Sequence, residues 1–239
     1  MGFCSRSEAV QLVREGKVQL NGARVRNPEA PVRLGKDRVE VNGIGVHGAE
    51  KIYLMLNKPR GLVTSAEDEK DRETVYSLLP SDLPWVAPVG RLDMASEGLL
   101  LFTNDSEWGA QISNPESHVD KTYHAQIRGE APAEMLAALE RGVMADGDVL
   151  RAKRATLLRH GAKQCWLEIV LDEGKNRQIR RMLEAVGLET LRLIRVSVGS
   201  LKLGDLAKGK YRALTLEEKE RLDQHSESSG ERSKFKVED

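Results

Sequence analysis

The sequence has no long apolar run. Nowhere do about 18 uninterrupted apolar residues occur, so neither a transmembrane helix nor a membrane partner is expected. Cysteine is nearly missing: Cys4 and Cys165 stand alone, without metal spacing, as free thiols in a reducing compartment would. No apolar core with a small-residue cleavage site follows Met1, so no secretory signal is expected and the chain is placed in the cytoplasm. The five histidines are scattered, none beside Cys, Asp or Glu at ligand spacing, so no metal is expected. No glycine-rich loop runs into a Lys-Ser/Thr pair and no Gly-x-Ser-x-Gly elbow occurs, which sets aside nucleoside-triphosphate and serine-hydrolase chemistry. There is no internal repeat.

Net charge is absent too, since 37 Lys and Arg balance 37 Asp and Glu. Taken alone, that balance argues against a nucleic-acid partner. The distribution argues the other way: residues 60 to 120 carry four Lys/Arg against twelve Asp/Glu, and residues 151 to 212 carry fifteen against six. Such asymmetry can concentrate a positive field on one surface of a neutral protein.

The 239 residues suffice for one large or two modest domains. Residues 1 to 46 read as a small module. Ser5-x-x-Glu8 has capping-box spacing, Ala9, Leu12 and Val13 share a helical face, Gly16 ends that helix, and Asn21-Gly22 turns a hairpin. A strand-like "DRVEVNG" and a short linker follow. The larger unit, residues 52 to 222, opens with "KIYLMLNKPRGLVTS", a strand running into a turn. The run Leu99 to Phe102, bounded by Thr103-Asn104-Asp105, reads as a buried strand. Ser106-Glu107-Trp108 starts a short helix burying Trp108 and Ile112; Tyr123, Ala125 and Ile127 alternate along a strand. Ala133 to Arg141 is a helix and Gln164 to Leu171 a strand. Asn176 is expected to cap a helix with the apolar stripe Ile179, Met182, Leu183 and Val186, closed by Gly187. "YRALTLEEKERL" ends the folded part with a Thr-x-x-Glu cap, and residues 224 to 239 read as a disordered charged tail. Helices and strands mix without strict βαβ alternation, so the class is α+β.

Two features could carry chemistry. One is the carboxylate of Asp93 in "GRLD", at the corner before the buried strand. The other is a helix face bearing Arg177, Arg180 and Arg181. A carboxylate beside such a face would be held ionised and oriented by a guanidinium. Spacing alone favours the plainer alternative, a turn stabilised by Arg91 and Asp93 next to a solvated basic surface.

"GRLDMASEGLLLFTND" resembles the catalytic segment of the Rsu-type pseudouridine synthases that modify bacterial ribosomal RNA. "LMLNKPRGLVTS", "KTYHAQIRG", "LDEGKNRQIRRMLEAVG" and "LIRVSVGSLKLGDLAKGKYRALT" resemble that branch's entry strand, tyrosine strand, basic helix and closing segment, in the same order. "GFCSRSEAVQLVREGKVQLNGARV" resembles the S4-type RNA-binding domain. That family carries a further helix before its Gly-x-x-Ser-Arg corner, whereas this sequence opens at the corner, so the module is expected in partial form.

The resemblance implies a mixed, mainly antiparallel sheet with flanking helices, a small α/β S4-type module beside it, and no cofactor. It implies a monomer that isomerises a uridine of ribosomal RNA, 23S in preference to 16S because the "EGKNRQIRRM" helix looks closer to large-subunit enzymes. A non-catalytic S4-type RNA-binding protein and a nucleoside glycosidase are the competing classes. Carried over by motif, Asp93 is the catalytic carboxylate, Tyr123 lies against the flipped uracil, and Arg180 pairs with Asp93. Arg177 and Arg181 become phosphate contacts, Arg91 reaches into the RNA, and Leu203 lines the base pocket. Arg6, Arg14, Lys17 and Arg24 of the module add phosphate contacts. Whether Asp93 attacks the sugar, attacks the base or abstracts a ribose proton stays open.

Overall fold

The computed structural model describes residues 3 to 224 other than 34, 47, 49 and 162. Beyond Gln224, the charged tail lies outside the described residues. Among them, no helix is long and apolar enough to cross a membrane.

The N-terminal part is a helix, α1 (Arg6–Arg14), and four short strands, β1 (Val18–Leu20), β2 (Ala23–Val25), β3 (Val39–Val41) and β4 (Ile44–Val46). They form an antiparallel sheet in the order β2-β1-β3-β4. The Ser5 hydroxyl accepts from the Glu8 amide at 3.1 Å, capping α1 as the sequence foretold. The helix ends in a Schellman arrangement, with the Gly16 amide on the Val13 carbonyl and the Lys17 amide on that of Leu12. Asn21-Gly22 turns β1 into β2 with both φ positive, and Asn42-Gly43 repeats the device between β3 and β4. The second hairpin was not read from the sequence.

The larger part is a nine-stranded sheet. Its main path runs β11 (Arg154–His160), β12 (Gln164–Leu171), β8 (Lys121–Arg128), β13 (Thr190–Val198), β7 (Glu97–Thr103), β5 (Tyr53–Lys58), β15 (Tyr211–Ala213). β14 (Leu201–Lys202) pairs with β13 and β6 (Ala87–Val89) with β7. Only β13 and β7 pair in parallel, so the sheet is mixed and mainly antiparallel. A separate hairpin joins β9 (Val143–Ala145) to β10 (Asp148–Leu150).

Alternation along β8 and β12 sends Ala125, Ile127, Leu167 and Ile169 to one face. There they pack under α3 (Ala133–Arg141) and α4 (Gln178–Ala185). All seven residues of β7 are buried, because each of its faces meets its own apolar cluster. One cluster lies under α2 (Ser106–Ser113), with Trp108 and Ile112. The other lies under the segment carrying Leu62, Val75 and Val86. Residues 216 to 224 are helical, and Thr215 and Glu218 cap them reciprocally, Thr215 Oγ1 taking the Glu218 amide and Glu218 Oε2 the Thr215 amide.

One boundary departs from expectation. α4 starts at Gln178, and its N-cap is Arg177 in the left-handed region with φ +48° rather than Asn176. The Gln178 side chain is buried and takes the Lys175 amide, so the Gly174-to-Arg177 turn is tied from inside.

Candidate active site

A cleft of about 260 Å³ opens where the loop before β7 meets the start of α4 and the ends of β8 and β13. Asp93, Lys121, Tyr123, Arg177, Ile179 and Arg195 are among its walls. The strands bring these together because Lys121 and Tyr123 share the face of β8 that carries Ala125. Arg195 of β13 stands opposite Tyr123 in register.

Asp93 sits on a backbone held at five successive carbonyls. Thr64 Oγ1 donates to the carbonyl of Leu92 at 2.7 Å, Lys58 Nζ to that of Asp93 at 3.2 Å, and the Gly61 amide to that of Met94 at 2.8 Å. Arg180 Nη2 donates to that of Ala95 at 3.1 Å and Lys58 Nζ to that of Ser96 at 2.9 Å. The Ser96 amide closes back on Asp93 at 2.9 Å, a tight turn. With the main chain fixed this way, the carboxylate alone projects, 34% exposed, toward the cleft. Asp93 is therefore both a turn residue and a presented carboxylate.

Lys58 is one residue that the sequence did not reveal. Its ammonium is fully buried and divided among the carbonyls of Pro59, Asp93 and Ser96. Burial pushes its pKa down to about 8, with Asp93 and Glu97 pulling upward. The available signal was periodicity: Leu54, Leu56 and Lys58 alternate on one face of β5, so a lysine occupies a core position.

The arginines divide differently from the motif assignment. The contact to the Asp93 carboxylate comes from Arg177, Nη1 to Oδ2 at 3.8 Å, because the left-handed N-cap points that side chain back at the loop. Arg180 makes no ion pair with Asp93. Its guanidinium is drawn under the loop by the carbonyls of Ala95 and Thr190, leaving Nε buried without a partner. Burial lowers its pKa, Arg177 and Arg60 add to that, and Asp93 opposes it. Arg181 is no free phosphate contact: it is occupied by Asp146 at 2.7 Å, Asp148 at 2.9 Å and the Ala145 carbonyl, and so pins the β9–β10 hairpin to α4.

Tyr123 lines the cleft, half-buried and packed against two of the core clusters. Arg91 is exposed at the cleft's edge. Leu203 is not a wall of the cleft; its side chain packs with Tyr53 and Leu206 in the cluster under α2, while Ile179, Leu193 and Val198 supply apolar lining. β13 and β14 form a tight hairpin that pairs Val198 with Leu201.

In the module, Arg14, Lys17 and Arg24 gather at the C-terminal end of α1, joined by Arg26, whose Nη1 donates to the Arg14 carbonyl at 3.1 Å. Arg24 and Arg26 fold over Gly16, where a β-carbon would lie 3.1 Å from each. Arg6 stands apart in the first helical turn, and Lys17 is paired with Glu15 at 2.6 Å.

Residues 52–185 match the family model described as RNA pseudouridylate synthase, and residues 1–39 match the S4 domain. Ribosomal large subunit pseudouridine synthase B of Bacillus subtilis is 40% identical, over 92% of this chain and 91% of its own. An uncharacterized RNA pseudouridine synthase of Rickettsia prowazekii is 37% identical over 90% of each chain. A crystal structure of a pseudouridylate synthase superposes with a TM-score of 0.66 at 31% identity, covering 91% of this chain and 94% of that one.

Proposed function

The chain belongs to the RNA pseudouridylate synthases, and on that premise we propose that it isomerises one uridine in the RNA of the large ribosomal subunit, the 23S RNA of a bacterium. The observation that supports the site is Asp93, a presented carboxylate on a backbone fixed at five carbonyls, facing Tyr123 across the cleft.

Pseudouridine formation breaks the bond from ribose C1′ to uracil N1, turns the base and rejoins it through C5. No group is imported and no electron is gained or lost, so the enzyme works without a cofactor. A uridine within folded RNA is out of reach of any cleft, so it must first leave the stack. Asp93 then meets the electron-poor sugar carbon, as carboxylates do in glycosidic chemistry. Its rigid loop lowers the reorganisation needed when charge develops. Arg177 reaches the carboxylate at 3.8 Å and orients it, and Arg180 holds the loop in place at Ala95. Tyr123 offers a flat face along which a freed base turns without losing contact.

Arg91 and Arg177, exposed or half-exposed near the cleft, hold the backbone of the flipped nucleotide. The cluster of Arg14, Lys17, Arg24 and Arg26 adds a second hold that raises local concentration rather than reading sequence. Carbodiimide modification with primer extension on ribosomal RNA from a strain lacking the gene tests the assignment. One pseudouridine in 23S RNA should vanish and return with the wild-type gene. A site lost from 16S RNA instead, or none lost, overturns it.

A further inference from the structure

We propose that Lys121 and Arg195 form a two-cation floor to the cleft, which receives a carbonyl oxygen of the flipped uracil and carries the negative charge the base acquires as its glycosidic bond breaks. The proposal rests on the pseudouridine reading above.

The two cations belong to adjacent strands, on the face that carries Tyr123, and both line the cleft with Asp93. Arg195 is only 5% exposed. Its Nε donates to the Leu99 carbonyl at 2.7 Å, and its terminal nitrogens have no partner among the described residues. Lys121 is half-buried and makes no ion pair or hydrogen bond among them. Two carboxylates, Asp120 and Asp172, attract it without coming to ion-pair distance, and the first is engaged elsewhere. Lys153 takes both oxygens of Asp120 at 2.8 Å, and His118 lies 3.6 Å from Asp172. Burial, with Arg195 beside it, pushes the Lys121 ammonium down to about 8, against the upward pull of Asp120 and Asp172.

A buried guanidinium and a half-buried ammonium side by side, with no carboxylate at ion-pair distance among the described residues, cost stability. They are useful where an anion, or a group becoming one, completes them. The exposed Arg91 and half-exposed Arg177 stand nearer solvent and suit phosphate; the buried floor is beyond the backbone's reach and suits the base. When the N1–C1′ bond breaks, its electron pair leaves with uracil and spreads over O2 and O4. C5 then bonds to C1′, the proton at C5 departs and N1 takes one up, so composition is unchanged. Through the first half of that sequence the base carries negative charge, and only donors can meet it. Lysine and arginine are donors only, so they favour the uracil carbonyl at C4 over the amino group cytosine would present there.

The test uses the full chain with Lys121→Met, which keeps length and removes charge, and Lys121→Arg, which keeps charge. Single-turnover release of tritium from [5-³H]uridine RNA is measured at saturating enzyme, with RNA affinity by filter binding and the melting temperature as controls. Lys121→Met should lose about a hundredfold or more in rate with the Kd within about threefold of wild type, and Lys121→Arg should stay within about tenfold in rate. RNA carrying 5-fluorouridine, whose more acidic base leaves with less help, should show a deficit at least tenfold smaller when base–sugar cleavage is followed in nuclease digests. A Met variant at the wild-type rate, a weakened Kd with the saturated rate intact, or an equal deficit on both RNAs overturns the floor. Failure of the underlying reading is separable, since the wild-type protein would then release no tritium.

Discussion

Replacing Asp93 by Asn keeps its size and its place in the turn, because the five carbonyl contacts involve the main chain around it and not its carboxylate. The expected outcome is a folded protein that binds RNA within about tenfold of wild type, or ~1.4 kcal/mol, and releases no measurable tritium. Release near the wild-type rate would reduce Asp93 to its turn. Lys58 makes the complementary case. Lys58→Met leaves the carbonyls of Pro59, Asp93 and Ser96 without their buried donor, which costs on the order of 1–3 kcal/mol in a denaturant titration. It also frees the Asp93 loop, so the saturated rate should fall further than RNA affinity does. Asp93 was legible because its motif is local, four residues beside a buried run. Lys58, Lys121 and Arg195 were not, because each occupies a position whose strand alternation reads as core. A charge there looks like an interruption until the sheet shows what it faces.

At the scale of elements, Gly98 sets how closely β7 and β13 can run. It has φ +102°, and a β-carbon there would overlap the Arg195 carbonyl oxygen and lie 2.8 Å from the Arg195 nitrogen. Gly98→Ala should therefore destabilise by about 3 kcal/mol or more, or fail to fold, since both atoms met are backbone. A melting temperature near wild type would contradict that close approach. Glu97, one residue earlier, ties the same strands to the 205–210 segment, with Arg192 at 3.0 Å and Lys208 at 2.5 Å. Burial would raise its carboxyl, but Arg192 and Lys208 outweigh it and hold the pKa below the usual 4.5. A depressed carboxyl contributes its full stability above the unfolded value and loses it as pH falls through the folded one. Glu97→Gln should thus be less stable at pH 7, with the gap to wild type closing as pH drops below 4.5. A gap that stays constant from pH 7 to 3 would show that the pair does not carry it. Helix and strand limits were legible from caps and periods, which are local. The parallel β13–β7 pairing and the placement of β15 beside β5 join residues far apart in the chain and leave no local mark.

Across the whole molecule, the acidic stretch and the basic stretch of the sequence turn out to be partly each other's partners. Lys153 pairs with Asp120, Arg177 with Asp93, and Arg192 and Lys208 with Glu97. The asymmetry along the chain is thus partly neutralised in space. The cations left for RNA are fewer and more localised than the counts suggest. At the cleft they are Arg91 and the half-exposed Arg177, with Arg60 close enough to Arg180 to oppose its charge. Contact with about four phosphates predicts a log–log salt slope near −3 on single-stranded RNA. Neutralising Arg60 and Arg91 together should flatten that slope by about 1.4, whereas Arg72→Gln, already held by Asp68, and Arg181→Gln should change it little. The module contributes through a separate sheet, so its removal bears on a different quantity. A chain starting at residue 47 keeps every strand of the nine-stranded sheet, and it should fold and retain most of its turnover at saturating RNA. It should lose affinity and a further part of the salt slope, because the cluster at the end of α1 is gone. If instead the truncated chain loses turnover at saturation while binding RNA as before, the module positions the substrate rather than merely concentrating it.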